Sequence, residues 1–225
     1  MDRPARLIVL GKQGSGKGTQ CVRISQHFKV PHISTGDMLR AAVKSGTPLG
    51  EKVQRTMEAG ELISDEIILE MIAARLREPD AATHGFVFDG FPRTVGQADR
   101  LDAALLPASI DVVVSLEIPT AVVVARIAQR RTCASCGRVY SLAVPPELDW
   151  ICDTCHGEVV QREDDSEEAV TRRLALYDAQ TAPLIARYRA AGKLAAIEAT
   201  GTVEEVAGRV ISCLEDHLGA ARSDT

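Results

Sequence analysis

Aromatic residues are scarce in this 225-residue sequence: one Trp, three Tyr and four Phe make up 4% of it. Apolar residues still reach 45%, against 25% charged, which is material for one full core and a small appendage. An excess of positive charge is also missing. Lys and Arg number 26 against 31 Asp and Glu, a net of −5, so no global basic field draws the chain to nucleic acid or an anionic membrane. Any basic site must be local. Long apolar runs are lacking too: residues 7–10 are the uninterrupted ones before Gly11, too few for a signal-peptide core, and no small-residue cleavage site follows. The longest apolar stretch, 110–125, is broken by Asp111, Glu117 and Pro119, short of the roughly 18 residues that a membrane span needs. The expectation is a soluble, cytoplasmic protein, in a compartment where thiols stay reduced and C-x-x-C pairs hold metal. No internal repeat or low-complexity segment is present.

Runs rich in β-branched residues at 5–10, 30–33, 85–89, 110–118 and 194–199 alternate with helical-looking segments. Strands with so few polar alternations are covered on both faces, which predicts an α/β fold with a doubly wound, parallel, five-stranded sheet. Apolar residues three and four apart predict helices over 37–45, 67–76 and 120–131. Asp164 and Asp165, then Ser166, Glu167 and Glu168, crowd acidic groups at the start of a helical pattern running to about residue 191, where cap and dipole favour them. Pro183, without an N–H to donate, should kink or interrupt that helix. Residues 133–160 break the pattern. They lack helical periodicity, contain Pro145 and Pro146, and carry four paired cysteines, so they read as an insertion whose strand-like pieces, 138–142 and 158–161, close on something other than a large core.

Directly after the first predicted strand stands Gly11-Lys12-Gln13-Gly14-Ser15-Gly16-Lys17-Gly18-Thr19, followed by a helical pattern. Such a loop brings backbone N–H groups to a polyphosphate, whose charge rests at a helix N-terminus beside Lys17. One departure from the general phosphate-loop (P-loop) pattern is that Gly18 follows Lys17, so the hydroxyl that would ligate Mg²⁺ is displaced to Thr19. Arg40, Arg93, Arg126, Arg130, Arg162 and Arg173 are spread across an acidic chain. Each alone reads as a surface charge or ion-pair partner, but together their guanidinium forks match phosphate oxygens. No nucleophile–base pair stands out, since His27, His32, His84, His156 and His217 are scattered and read as structural or solvated. That fits phosphoryl transfer to a phosphate, whose loose transition state needs positioning and charge neutralisation and whose acceptor oxygen is already ionised. Asp89 closes the third predicted strand, where the crevice of a doubly wound sheet lies, and is a candidate to orient Mg²⁺ through water. Asp37 either assists it or caps a helix.

Cys133-x2-Cys136-x15-Cys152-x2-Cys155 has the spacing of a tetrathiolate zinc site, with Gly137 supplying a tight turn. Four sulfurs leave no open position, so the Zn²⁺ is expected to be structural. Cys152 to His156 also spells C-x-x-C-H, the haem-attachment pattern, which is set aside because such attachment accompanies export and leaves Cys133 and Cys136 without a use. Cys21 and Cys213 read as small buried apolar residues. A zinc ribbon that reads nucleic acid, with the α/β part as a nucleotide switch, is the alternative from a different class. Charge opposes it, because 133–160 sets Arg138 alone against Glu147, Asp149, Asp153 and Glu158.

The loop at 11–19 resembles that of nucleoside monophosphate kinases. Ser34-Thr35-Gly36-Asp37-Met38-Leu39-Arg40, Asp89-Gly90-Phe91-Pro92-Arg93-Thr94 with Gln97, Arg126, Arg130-Arg131, Arg162 and Arg173 are similar to adenylate-kinase positions over nearly the whole chain. Gln13, where many relatives carry proline, departs from the pattern. The resemblance implies a phosphotransferase that moves the terminal phosphoryl group of ATP onto AMP, gives two ADP and serves adenine nucleotide homeostasis. It implies catalytic roles for Lys17, Asp89, Arg93, Arg130, Arg162 and Arg173. It places ATP at Gly14, Ser15, Gly16, Lys17, Gly18, Thr19, Arg126, Arg130, Val139, Tyr140 and Gly201. AMP would lie at Thr35, Arg40, Gly60, Glu61, Leu62, Ile63, Gly90, Phe91, Pro92, Arg93, Gln97, Arg162 and Arg173. The implied organisation is a core of 1–132 and 161–225, an AMP-binding helical segment at 34–63 within it, and a zinc-binding lid at 133–160. The partners would be ATP with Mg²⁺, and AMP, with no nucleic acid and no membrane, on a monomer. A GTP-dependent AMP kinase and a UMP/CMP kinase are the alternatives within the class, the second disfavoured by the long insertion.

Overall fold

A computed structural model describes residues 4–46, 48–59 and 61–223. Strand β1 (Ala5–Gly11) leads into α1 (Lys17–Phe28), β2 (His32–Ser34), α2 (Thr35–Lys44), α3 (Pro48–Glu58), α4 (Asp65–Leu76) and α5 (Pro79–His84). Next come β3 (Gly85–Asp89), α6 (Val95–Leu105), β4 (Val112–Glu117) and α7 (Thr120–Gln129). Three short strands follow, β5 (Arg130–Cys133), β6 (Val139–Ser141) and β7 (Val159–Val160). The chain then makes a 3₁₀ turn (Glu163–Asp165), α8 (Glu167–Leu176), a π-helical stretch (Tyr177–Thr181), α9 (Ala182–Ala190), β8 (Leu194–Glu198) and α10 (Val203–Ser223).

Five strands pair in the order β2-β3-β1-β4-β8, every pair parallel, with β1 in the middle. The apolar runs explain why. In β1, Leu7, Ile8, Val9 and Leu10 are all at most 2% exposed, so both faces must be covered, and helices on either side supply the cover. Ile8, Leu10, Phe86, Phe88 and Val113 gather against Leu39, Ile72, Leu101 and Leu184 from α2, α4, α6 and α9. Leu7, Val9, Val87, Val112 and Val114 gather against Cys21 and Ile24 of α1 and Val210 and Leu214 of α10. Alternate residues thus feed two cores, and each fully buried aliphatic side chain contributes about 1.5–3 kcal/mol relative to exposure. The five expected strand runs are therefore the five strands of this sheet.

Two helix expectations change. The segment 120–131 was expected to be helical to its end, but α7 stops at Gln129 and Arg130 turns extended (φ −65°, ψ 137°) to begin β5. Pairing decides this: Arg130, Arg131 and Thr132 face Ser141, Tyr140 and Val139 of β6, and Thr132 and Cys133 face Val160 and Val159 of β7. The long helix expected from Asp164 to about 191 is divided. Its start is Ser166, whose Oγ accepts from the Ala169 N–H at 3.3 Å, while Asp164 and Asp165 lie before it in the 3₁₀ turn, buried. Pro183 falls in the first turn of α9, where no N–H is needed, and the π-helical stretch just before it is the expected interruption.

The insertion forms its own antiparallel sheet, β6-β5-β7, over a small cluster of Cys133, Tyr140, Cys152 and Val159 with Trp150 against it. Among the described residues, no helix is long and apolar enough to cross a membrane.

Gly85 opens β3 at φ 89°, and a Cβ there would lie 2.0 Å from the Ala5 carbonyl oxygen, in the middle of the sheet. Gly192 has φ 68° with nothing within 4 Å of a Cβ. Gly192→Ala should therefore lose about 1 kcal/mol, the backbone strain alone. Gly85→Ala should lose well over about 2 kcal/mol, strain and clash together. Urea unfolding of both variants at equal protein concentration checks the contrast.

Candidate active site

The C-terminal ends of β1, β2 and β3 place Gly11, Ser34 and Asp89 side by side at one edge of the sheet. From that edge the glycine-rich loop turns back into α1. Gly14 (φ 80°) leaves no room for a Cβ, which would meet Ile127 at 2.7 Å, and Gly16 (φ 93°) is the left-handed N-cap of α1. Lys17, the first residue of α1, reaches back into the loop and donates to the carbonyl oxygens of Gly11 and Lys12 at 2.7 and 2.8 Å. Burial lowers its ammonium to about 8, opposed by the nearby Asp89 carboxylate and helped by Arg93 and Arg130. Ser15 Oγ is buried with no hydrogen-bond partner. These are the features of a cradle that holds one fixed cation and presents unfilled polar groups.

Asp89 keeps its charge although it is largely enclosed. Burial works to raise its carboxyl, but His32, Lys17 and Arg93 together hold it below the ordinary carboxylate range. Position 18 fits this: a Cβ at Gly18 would come 3.2 Å from Asp89 Oδ2, so glycine there lets the carboxylate stand against the start of α1. Asp37 lies elsewhere. Its backbone N–H donates to Ser34 Oγ at 3.2 Å, so Ser34 is the helix cap, and the exposed Asp37 carboxylate pairs with Arg40.

Five of the six arginines share one region. Burial lowers the Arg93 guanidinium, and Arg173 and Arg40 lower it further. Burial, Arg40 and Arg130 bring Arg162 to about 10. The two acidic residues read as a helix start supply the counter-charge: Asp165 grips Arg130 through both oxygens, with Nε at 2.8 Å, and Asp164 accepts from Arg173 Nη1 at 2.6 Å. Burial raises the Asp164 carboxyl, but Arg173, Arg162 and Arg40 outweigh it and hold it below its ordinary value. Gln13 adds a link from the loop, donating to Asp165 Oδ1 at 3.0 Å. Arg162 Nε donates to Thr132 Oγ1 at 3.0 Å, at the root of the small sheet. Arg126 is apart from this group, with Nη2 3.3 Å from the Ala199 carbonyl oxygen, close to the bend at Gly201.

On the β2 side, Thr35 Oγ1 donates to the Gly90 carbonyl at 3.0 Å and Arg93 Nε donates to the same oxygen at 2.9 Å. Buried Gln97 accepts from the Arg93 N–H at 2.8 Å and donates to Asp65 Oδ1 at 2.6 Å, which fixes the 89–97 turn. Phe91 is in the core with Phe88, and Pro92 is buried beside it. Ile63 is buried, Leu62 partly so, and Glu61 is exposed 3.7 Å from Arg172; Gly60 lies outside the described residues. Thr19 continues α1, Val139 is exposed, and Tyr140 turns its hydroxyl into the small sheet, 3.3 Å from Cys152 Sγ.

The four cysteines meet. Sγ atoms are 3.4 Å apart for Cys133 and Cys155 and 3.6 Å for Cys136 and Cys152, all four lie within 4.8 Å of one another, and no disulfide joins them. A tetrahedron of sulfurs at the usual Zn–S distance has edges of about 3.8 Å, so the donor set and its spacing suit a zinc ion. Burial opposes ionisation of Cys152, but Tyr140 and the backbone N–H groups of Thr154 and Cys155 lower its thiol to about 5. Of the two remaining cysteines, Cys21 is buried as expected and Cys213 is half-buried beside His217.

The adenylate kinase family model matches residues 9–193. The chain belongs to the adenylate kinase family. It is 47% identical to the adenylate kinase of Geobacter sp. (strain M21) over 211 residues, 92% of this chain and 98% of that one. It is also 47% identical to that of Archaeoglobus fulgidus over 212 residues, covering 93% and 97%, and 44% identical to that of Carboxydothermus hydrogenoformans over 213 residues, covering 93% and 99%.

Within this adenylate kinase fold, sequence reasoning missed the side chains that support the arginines: Asp164 on Arg173, Asp165 on Arg130, Gln13 on Asp165, and Asp65 on the Gln97 that accepts from the Arg93 N–H. The adjacent acidic pair was a visible signal, read as capping because its partners are 9 and 35 residues away. Asp165→Asn should lose about 3–5 kcal/mol, since its side chain is fully buried against Arg130. Asp37→Asn, in a pair that is half exposed, should lose less than about 1 kcal/mol. Denaturant titration at pH 7 separates the two.

Proposed function

We propose that this chain transfers the terminal phosphoryl group of ATP to AMP, giving two ADP, and serves adenine nucleotide homeostasis. The observation that carries the reading is the convergence of Lys17, Asp89 and five arginines at the sheet edge beside the glycine-rich loop. Phosphoryl transfer between two nucleotides brings several anionic groups together, and fixed cations that repel one another without those anions are stabilised when the phosphates arrive. In this reading Gly14, Ser15, Gly16, Lys17, Gly18 and Thr19 hold the ATP phosphates, and Lys17 exchanges its two carbonyl partners for phosphate oxygens. Arg126, Val139, Tyr140 and Gly201 flank the rest of the donor. The acceptor lies against Thr35, Arg40, Gly60 to Ile63, Gly90 to Arg93 and Gln97. Arg93, Arg130, Arg162 and Arg173 neutralise the transferring and acceptor phosphates. Mg²⁺ comes with ATP and neutralises phosphate charge, and Asp89 is the residue placed to orient it.

The organisation follows the same reading. Residues 1–132 and 161–225 form the core, 34–63 take AMP, and 133–160 are a lid whose two roots carry Arg130 and Arg162. Closing the lid excludes water, which would otherwise accept the phosphoryl group. The contact of Lys44 Nζ with the Ala134 carbonyl, between the AMP segment and the lid, supports this. The enzyme works as a cytoplasmic monomer with small-molecule partners, and the acidic balance of 133–160 argues against nucleic acid.

The test is ADP formation over a panel of donors and acceptors. ATP with AMP should be used in preference to GTP with AMP or to ATP with UMP or CMP. Lys17→Met should lower turnover at least about 10²-fold while unfolding normally. Near-normal turnover would overturn the assignment. A pH dependence follows as well. Unliganded Lys17 is charged below about 8, and phosphate favours the charged form, so ATP affinity should hold below pH 8 and fall above it. Calorimetry above pH 8 in buffers of different ionisation enthalpy should show one proton taken up on binding.

The zinc prediction separates stability from chemistry. Cys133, Cys136, Cys152 and Cys155 would hold a structural Zn²⁺ that replaces a core for a segment too small to have one. Metal analysis should find one zinc per chain. Cys152→Ser or chelation should lower the inactivation temperature yet leave substantial turnover in the cold. Protein without zinc would remove the site, and fold-preserving loss of all turnover would place the metal in the chemistry.

A further inference from the structure

A second group of metal-binding donors lies under the phosphate loop. Cys21, His32 and Asp89 come from α1, β2 and β3, and their donor atoms lie within 4.8 Å of one another. Cys21 is one helical turn beyond Lys17, fully buried, with its Sγ 4.0 Å from the Phe88 carbonyl oxygen, a weak contact for a thiol. His32 Nε2 is 3.6 Å from Asp89 Oδ2, an ion-pair contact longer than a hydrogen bond, and that nitrogen is shielded from solvent with no hydrogen-bond partner. Cys21 alone is accounted for as a small apolar residue. An imidazole nitrogen that makes no hydrogen bond while it shares one space with a thiol and a carboxylate is not, because buried polar atoms are ordinarily hydrogen-bonded.

We infer that Cys21, His32 and Asp89 form an inhibitory binding site for a thiophilic divalent cation of the Zn²⁺ or Cd²⁺ kind, separate from the four-cysteine site. Sulfur, imidazole nitrogen and carboxylate oxygen are the donors such ions take, and three of them leave one position of a tetrahedron open. Binding is a ligand exchange without redox change. The Cys21 thiol gives its proton to solvent as the sulfur–metal bond forms, His32 supplies the Nε2 lone pair with its proton on Nδ1, and Asp89 supplies an oxygen. The thiolate and carboxylate match the charge of the cation, while the Lys17 ammonium and Arg93 guanidinium near Asp89 oppose its entry. A cation reaches the cluster past Asp89 and His32, whose side chains keep 16% and 20% of their exposure while Cys21 has none. Occupation takes Asp89 away both from Lys17 and from the magnesium nucleotide. The inhibition thus rests on the proposed role of Asp89, whereas the binding does not.

The test uses the whole enzyme with its four-cysteine site already filled. Dialysis against labelled Zn²⁺ or against Cd²⁺ should load one more equivalent on the wild type than on Cys21→Ala, with a thiolate-to-cadmium charge-transfer band present in the first and reduced in the second. ADP formation with excess Mg²⁺ should fall as the cation is added. Cys21→Ala should keep its turnover in the absence of added cation and need at least about tenfold more to be inhibited. If Cys21→Ala does not fold, His32→Gln is read by the same uptake. Equal uptake by wild type and variant overturns the site, and so does inhibition of both at the same concentration, which would mean displacement of Mg²⁺ from the nucleotide. An extra equivalent bound without inhibition overturns the inhibitory reading. A wild type inactive before any cation is added would instead count against the kinase reading, with the uptake difference unaffected.

Discussion

Five guanidinium groups held within electrostatic reach of one another need counter-charge, and the arrangement of this protein around its cleft follows from that need. Burial and mutual repulsion depress Arg93 and Arg162, and Asp164 and Asp165 offset the repulsion from the outset. These two carboxylates are acceptors that satisfy the forks of Arg130 and Arg173 before any ligand arrives, so the cations are aimed and not merely present. A nucleotide phosphate adds to this balance and does not have to create it. The proposed catalysis is of this kind: charges fixed beforehand where negative charge will gather, with no nucleophile or base of the protein's own.

The sheet places that field. Because β1 is apolar on both faces it sits in the centre with a helical layer on each side, and its C-terminal end delivers the glycine loop to the same edge as Ser34 and Asp89. Burial in two cores makes this edge stiff, while the small β6-β5-β7 sheet is attached through Arg130 at one root and next to Arg162 at the other. Any movement of the small sheet therefore carries two of the cations with it. Its own apolar cluster is four residues with Trp150 against them, far too little to hold residues 133–160 in shape, which is the physical case for a staple of four thiolates.

Gln13 and Asp89 show how closely neighbouring duties are combined. Gln13 ties the loop to the Asp165–Arg130 pair. Asp89 balances Lys17, faces His32, and stands 3.2 Å from where a side chain at position 18 would begin, so anything larger than glycine there would press on the carboxylate. The proposed cation site is the other side of that economy: the carboxylate proposed to orient the magnesium nucleotide has a thiol and an imidazole beside it that suit another ion.

Much was decided by sequence alone, for identifiable reasons. Residues 5–10, 85–89 and 110–118 read as covered strands because each centres on consecutive apolar residues, which point to both faces of a sheet and need cover on both. The loop at 11–19 and the 133–155 cysteines are local patterns whose chemistry depends on spacing, and spacing is what a sequence records. The arginines were visible as a set. What the sequence could not decide was which side chains meet across many residues: that Arg130 leaves its helix to pair with β6 and β7, that Asp164 and Asp165 serve arginines and not a helix dipole, that Ser34 and not Asp37 is the cap, and that Cys21 and His32 share a space with Asp89. Local periodicity carries no information about partners 9, 35 or 68 residues away; only burial of the two cores, which brings those segments to one sheet edge, selects them.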